Sequence, residues 1–498
     1  MNRPLLIVLA SLSLLILGCQ TFLQLPQPAA GETPAVAHWR EVLARVDRVV
    51  VAAGTRDAAV FPITGFPFLR TSRFLAETAR RPAAGPATRR WLERMHALDL
   101  AAREKEIVNL DADRCRQLAR DLKVTGGRRA LIAFVHAASR GLFAAALARP
   151  SLASEVRAAA TVPGEYRLWR RALGLYPLVA LPVAYVSAAA FDEFRQWHAM
   201  PPEQLPRTGR PVAYRLAGPG GESRLDPTAL FRKTPRDALG LPLLAPEEAH
   251  RLAAALAPII VQDTAAAYDR IGAIRWLDGR PAVATADPVV YYYLSQSRFD
   301  DRASLQINYV FWYSRRAGQN APWFERGRLD GLTVRISLDT SGRPVMLDIM
   351  NNCGCYHFFV PDYARIRRIK APLLGLDPLV PAWLPPAFPL QRLQLTVTSG
   401  WHQVLHIAAG NAAPPVVGYT LRPYETLEML PDENGQHRSI FDRNGIAFGS
   451  ERIEPLLFFS MGIPAVGSMR QRGHHAIQLV GRAHFDDPLL FDATFDYR

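Results

Sequence analysis

Leu332-Thr333-Val334-Arg335-Ile336-Ser337-Leu338, then Asp339-Thr340-Ser341-Gly342-Arg343-Pro344, then Val345-Met346-Leu347-Asp348-Ile349-Met350, is the passage of the 498-residue chain that decides its fold class. Apolar residues occupy every second position of the first segment, the period of a strand with one face in a core. The middle passage is turn chemistry, so two strands joined by a hairpin are expected. Working outward, the same β-branched and aromatic texture recurs in Val289–Leu294, Leu305–Tyr313, Leu393–Thr398, Trp401–Ile407 and Val416–Leu421. Ser399-Gly400 separates two of these and predicts a tighter hairpin. An antiparallel β-rich domain with helices is therefore expected over 246–498, entered through a helix over Pro246–Asp269 that has Glu247-Glu248 in its first turn.

Upstream the texture changes. Residues 201–245 hold Pro201-Pro202, Gly218-Pro219-Gly220-Gly221 and Leu241-Pro242 and read as a Pro/Gly-rich linker. Residues 36–200 are helical in pattern, with Trp91–Arg103, Arg114–Leu122 and Ala130–Ala148 repeating apolar residues at three and four. The fold class is thus α+β, a helical N-terminal domain followed by the sheet.

Apolar residues make up 49% of the chain and charged residues 21%, and mean hydropathy is −0.01, which excludes both disorder and a mostly membrane-spanning protein. Four lysines (Lys105, Lys123, Lys233, Lys370) stand among 59 basic residues, and the net charge is +14. Most of the excess, +11, lies in 36–200. Such charge favours anionic partners without choosing among them.

The first twenty residues narrow the choice. Arg3 precedes an apolar run, Pro4–Leu17, too short to span a bilayer as a mature helix, and Ile16-Leu17-Gly18-Cys19 follows. This stretch resembles the lipobox of bacterial lipoproteins. The resemblance implies a signal peptide over 1–18, fatty acylation (palmitate) of Cys19 as the new N-terminus and a tether over 19–35. Gln20 after the cysteine implies sorting to the outer membrane, with the body in the periplasm. Several acyl chains hold a protein firmly where one is marginal. Nucleic acid is not an expected partner there, and no helix-turn-helix or finger pattern accompanies the charge. A lipid surface, a glycan or an envelope protein is.

Ala172–Phe191 carries no charge over 20 residues, enough to cross a hydrocarbon core at 1.5 Å per residue. Pro177 and Pro182 argue instead for buried helices broken at the prolines, with a surface lying against lipid as a second reading and a true span as a third.

Beyond Cys19 the chain holds Cys115, Cys353 and Cys355, an odd number of thiols for an oxidising compartment. Cys115, alone in a helical run, reads as a small buried hydrophobe. Asn351-Asn352-Cys353-Gly354-Cys355-Tyr356-His357 is the informative stretch. Two thiols and an imidazole within five residues suit a three-ligand claw for copper or zinc, with His474 or His475 as a fourth ligand. A strained, redox-active Cys353–Cys355 disulfide is the competing reading, and two reduced cysteines in a packed turn a third. His402 and His406 fall on an expected strand, where residues four apart cannot share an ion.

Two hydrolase readings remain: Cys355 as nucleophile with His474 or His475 as base and Asp348 as orienter, and the run His484-Phe485-Asp486-Asp487. No G-x-S-x-G, H-E-x-x-H, Walker, S-x-x-K or dinucleotide motif occurs. Tyr291-Tyr292-Tyr293 and Phe311-Trp312-Tyr313 read as sheet residues facing both sides, with a carbohydrate or lipid platform as the alternative. The sequence thus points to a soft-metal or thiol-redox site at Cys353, Cys355 and His357, against a non-catalytic envelope factor and a hydrolase.

Overall fold

Alternating, β-branched segments in the second half of the chain produce long strands, and these assemble into one ten-stranded sheet. In the computed structural model residues 33–81, 85–218, 225–372, 375–411 and 415–498 are described, so the lipobox, Cys19 and most of the tether lie outside the described residues. The first half supplies a hairpin, β1 (Phe61–Ile63) and β2 (Phe66–Thr71), among six helices: α1 (Pro34–Ala53), α2 (Arg73–Thr78), α3 (Pro86–Val108), α4 (Ala112–Asp121), α5 (Gly127–Leu147) and α6 (Leu152–Ala159). These elements share a core of their own around Leu43, Trp91, Met95 and Leu131, and Cys115 is buried in it. Nothing in the helical texture announced the hairpin.

The sheet strands are β3 (Arg210–Leu216), β4 (Ile259–Thr264), β7 (Val289–Phe299), β8 (Arg302–Arg316), β9 (Gly327–Leu338), β10 (Pro344–Asn351), β11 (Phe358–Pro361), β13 (Leu393–Val397), β14 (Val404–Ala409) and β15 (Val416–Pro423). Outside it lie a small hairpin, β5 (Ala273–Leu277) with β6 (Arg280–Ala284), and β12 (Ile366–Ile369), which pairs with Phe495–Tyr497. The order is β11-β10-β9-β8-β7-β15-β3-β4-β13-β14. The expected hairpin is present: β9 and β10 pair antiparallel with Ile336 opposite Leu347, and Asp339 closes the turn by accepting the Ser341 and Arg343 N–H groups at 2.8 and 3.0 Å.

The expectation of an antiparallel sheet holds for only part of it. β15 runs parallel to β7 and to β3, and β13 parallel to β4. Their parallel partners lie far away in the chain rather than across a tight turn, as parallel pairing requires.

Three further expectations are corrected. The helix over Pro246–Asp269 ends at Leu256, because Pro258 disfavours helical backbone at Ala257 and the β-branched Ile259-Ile260-Val261 continues as β4. The linker over 201–245 contains β3 and a helix, Pro227–Lys233, whose Leu230 and Phe231 enter the main core. Within 36–200, α7 (Leu168–Leu173) and α8 (Tyr176–Ala199) leave the N-terminal helices: α8 packs on the β14 edge of the sheet, and α7 packs on α8 and on the short turn Phe459–Met461.

The segment Ala172–Phe191 is not a set of buried helices. It runs into α8, a single helix of 24 residues in which only Ala180, Phe194 and His198 are buried. Pro177 sits in the first turn, where its missing N–H is harmless, and Pro182 is accommodated in the interior. Among the described residues α5 and α8 are both long and apolar enough to cross a membrane, and α5 is partly buried in the N-terminal core.

Phe194 closes the architecture. One core contains Phe358 and Val360 from one edge strand and Val404 and Ile407 from the other, so the sheet curls until its edges face each other across α8. The Phe194 ring lies 5.8 Å from Tyr356, 6.4 Å from Phe358 and 6.4 Å from Trp401. A buried ion pair joins the two halves of the chain: Glu428, which also takes Arg472 at 2.8 Å, receives Lys105 at 2.7 Å.

Phe194→Ala removes the ring that α8 shares with both edges. It is expected to lower unfolding free energy in urea by about 3–5 kcal/mol. It should also make α8 the first site cut by limited proteolysis.

Candidate functional site

Where the sheet edges meet, a row of charges runs inward without solvent. Arg316 at the end of β8 donates from Nε and Nη2 to the Asp330 carboxylate of β9 at 3.0 and 2.9 Å. Its Nη1 donates to Glu325, which also accepts the Tyr356 hydroxyl and, at 3.0 Å, the indole N–H of Trp401. On the other side of Asp330 stands His402, with Nδ1 at 2.8 Å from Asp330 and Nε2 at 3.3 Å from Asp269. The imidazole stacks on Tyr313 at 3.8 Å, 3° from parallel.

His402 is not on a strand as expected. It lies in the turn before β14 at φ 54, and the same turn donates Ser399 Oγ and the Gly400 N–H to Asp269 at 2.9 and 2.7 Å. Burial alone would depress the His402 pKa, but Asp269 and Asp330 outweigh it and the pKa is raised. Burial likewise opposes ionisation of Asp330, and Arg316 and His402 reverse this and hold its carboxyl below the usual range.

Next to Arg316 is the thiol loop. Asn352 anchors it by donating to Phe311 O at 3.0 Å and accepting the Thr333 hydroxyl at 2.8 Å. Gly354, at φ 91, passes so close to the Ala476 carbonyl that a Cβ would collide with it. This tight passage turns Cys355 back on Cys353, and the Cys355 N–H donates to Cys353 Sγ at 3.4 Å. Both are free thiols. A hydrogen bond from the Cys355 thiol lowers the Cys353 pKa and, with the Arg316 charge, overrides burial. Cys355, as the donor, is pushed up well above the usual thiol range. Glu454 completes the group. Burial, then Cys353 and Glu325, raise its pKa to about 8, and its carboxyl presses on Gly467 with Oε2 unpartnered.

Cys353, Cys355 and Glu454 line an apolar cavity of about 400 Å³. Val183, Val186 and Phe191 of α8 form one wall, and Phe458, Ile463 and Leu479 lie among the residues facing them. A second cavity, about 720 Å³, lies between the N-terminal helices and the sheet and is bordered by Arg94, Lys105 and Arg472. Several of its basic groups already face protein carboxylates, Arg94 with Asp237 at 2.7 Å and Lys105 with Glu428.

The other residues singled out by sequence are dispersed. His357 borders the apolar cavity, but its Nε2 faces Asp348 at 3.0 Å, and Asp348 also takes Arg335 Nε at 2.9 Å. His474 is held by Glu165 at 2.9 Å and the Ala58 carbonyl at 2.7 Å. Burial and Arg470 push the buried His475 down to about 3, so it is neutral. The expected claw of Cys353, Cys355 and His357 with His474 or His475 is therefore not assembled. Among the described residues no group of three metal-ligating side chains lies close enough to hold an ion such as copper or zinc.

The Cys355, His474 or His475, Asp348 arrangement is corrected too, since Asp348 serves Arg335 and His357 and the retained proton of Cys355 suits a donor. His484 Nε2 accepts the Glu165 N–H at 3.1 Å, and Asp486 accepts that of Gly473 at 3.1 Å, so the His484–Asp487 run works as a structural turn. Tyr291, Tyr293, Phe311, Trp312 and Tyr313 are buried sheet residues and form no platform. Sequence reasoning missed Asp269, Arg316, Glu325, Asp330 and Glu454. The one available signal was Asp330 standing inside a strand, β9, where charges are rare unless paired. Compared with family models, with curated proteins and with solved structures, the chain gives no match.

Asp330→Asn strands Arg316 and His402 without their shared anion and is expected to lower stability by about 3–5 kcal/mol near neutral pH. Because the native pKa of Asp330 is depressed, its contribution is present above the unfolded value of about 4 and fades as pH falls through the native one. Denaturant titrations of both proteins should therefore converge at acidic pH.

Proposed function

We propose that this chain is an outer-membrane lipoprotein, anchored through acylated Cys19 with its body in the periplasm, that performs thiol chemistry on an acyl-bearing ligand held in the 400 Å³ cavity. The observation that carries the reading is the juxtaposition of a thiol of lowered pKa, a carboxylic acid kept neutral near pH 7 and an apolar cavity. The thiolate is the reactive form of cysteine, and its fraction rises as its pKa falls. A neutral acid beside it can supply the proton a leaving group needs.

In this reading the acyl chain fills the cavity and the Cys353 thiolate attacks the ester carbonyl carbon. The S–C bond forms, the C–O bond breaks and Glu454 passes its proton to the departing oxygen. The acyl group rests on Cys353 as a thioester until water or another nucleophile takes it, returning the thiolate and the Glu454 proton. Cys355 is a positioning residue that holds the thiolate by its hydrogen bond. The contact between the two sulfurs also favours a second reading, thiol–disulfide exchange. There Cys353 attacks a substrate disulfide and Cys355 resolves the mixed disulfide, releasing two substrate thiols.

Intact-mass spectrometry of the full chain with activated esters of short, medium and long chain separates the two. A hydroxylamine-sensitive single acyl adduct that lengthens with the ester and is absent in Cys353→Ser supports acyl chemistry. A Cys353–Cys355 disulfide formed from an alkyl disulfide, with no acyl adduct, supports the second. Neither product at any chain length overturns both. Cys355→Ala is expected to move the pH midpoint of Cys353 alkylation upward, since it deletes the hydrogen bond that stabilises the thiolate.

Glu454→Gln gives an independent check by thermal unfolding. The raised native pKa means that wild-type stability declines as pH climbs from about 4.5, the unfolded value, to about 8, the native one. Glutamine has no such decline, so the variant should gain on wild type across that window and hold its advantage above it.

A further inference from the structure

The outer wall of the cavity is an apolar surface facing solvent. Leu178, Leu181 and Tyr185 of α8 are 67%, 70% and 80% exposed, and Leu456 in the short helix Glu454–Leu457 is 79% exposed. Trp169 and Leu173 of α7, also exposed, extend the same surface. Ring contacts make it continuous, with Trp169 at 5.8 Å from Phe459, and Phe324 at 6.0 Å from Phe458 and 5.7 Å from the exposed Trp323. Exposed apolar patches on soluble monomers seldom exceed a few hundred Å² unless they bind something.

The charge distribution identifies the occupant. No charge occurs over 172–191, while Arg167 and Arg482 are exposed beside the N-terminal end of the patch and Arg170 lies over the Trp169 and Phe459 rings. Asp192 and Glu193 come only after the apolar turns end. Aromatic and aliphatic side chains rimmed by arginine are the composition of a helix that lies in the headgroup boundary of an anionic bilayer. A span is disfavoured by the other face of α8: Ala180, Phe194 and His198 are buried against the protein and Val183 lines the cavity, so upright insertion would open the core. Between Cys19 and Pro34 the chain can extend at most about 50 Å, which keeps an anchored body within reach of its own membrane.

We infer that α7 and the first turns of α8 dock onto an anionic phospholipid bilayer, with the outer wall of the cavity against the acyl layer, so that the ligand enters from the leaflet. The inference rests on the acyl reading of the cavity and names the source of its substrate, a membrane phospholipid or acylated molecule drawn sideways from the bilayer. Docking adds a second membrane contact to the acylated N-terminus, the two-signal arrangement that stable anchoring needs.

The test is tryptophan quenching in the full chain reconstituted into phosphatidylethanolamine/phosphatidylglycerol vesicles with plain or brominated acyl chains. The share of emission belonging to Trp169, one of nine tryptophans, is obtained by difference from Trp169→Phe. Docking predicts that brominated lipid removes most of that share. It also predicts that the double variant Leu178→Glu/Leu181→Glu, at solvent-exposed positions and checked for unchanged circular dichroism, restores it. Equal Trp169 emission in plain and brominated vesicles overturns the inference. So does a concentration-dependent dimer abolished by the double variant, which assigns the face to a second copy. Acylation of Cys353 by a soluble short-chain ester in detergent needs no bilayer. An unquenched Trp169 with intact acylation sinks docking alone, and quenching without acylation sinks the chemistry alone.

Discussion

The Asp330 carboxylate is the point on which the rest of the site depends. It takes both Arg316 and His402, and through them it fixes three separate pieces of chain: the end of β8, the Glu325 segment and the turn before β14. Buried charges of this kind contribute little net stability, because desolvation offsets attraction, yet they are strongly selective for the arrangement that satisfies them all. Here that arrangement is the one in which the sheet has curled far enough to bring β14 round to β9. Apolar side chains inside the curl supply the driving force, and the ion row decides where the closure stops.

The thiol loop inherits its chemistry from the same row. Arg316, which satisfies Asp330 and Glu325, also acts on Cys353, so the group that closes the sheet adds to the Cys355 hydrogen bond in lowering the thiol pKa. Glu454 sits on the far side of that balance, carboxyl against Gly467, and stays protonated because burial disfavours its charged form and the Cys353 and Glu325 charges add to this. The two titrations separate because Cys353 has the Cys355 hydrogen bond and a nearby cation, while Glu454 is buried beside other anions.

Most strands of the sheet were legible from the chain to within a few residues, because Val, Ile and aromatic residues at alternate positions leave a backbone few other choices, but β3, β4 and β11 were missed, hidden in a Pro/Gly-rich stretch, in an apparent helix and behind the thiol loop. Parallel pairing of β15 and β13 was not legible either, since their parallel partners lie far away in the chain and leave no local signature. The Cys353-Gly354-Cys355 stretch stood out by composition, and the reason Gly354 lies there is now clear: the Ala476 carbonyl occupies the space of a side chain. His357 misled, because proximity in sequence does not show which way a ring points, and Asp348 across the strand claimed it. His402 was flagged for the wrong partner. It was placed on a strand and set aside as a partner for His406, whereas it lies in a turn and its carboxylates come from residues 72 and 133 positions away.

The central place of β15 has a consequence for how the molecule comes into being. Val416–Pro423 sits between β7 and β3, bridging strands that appear more than a hundred residues earlier. A chain emerging N-terminus first must keep two half-sheets apart, each with an open edge, until more than four-fifths of its length is out. During that interval the helical unit can already be finished while the sheet waits, so maturation is a late, all-at-once event that leaves unpaired edges exposed to chaperones, or to aggregation, until the last strand arrives.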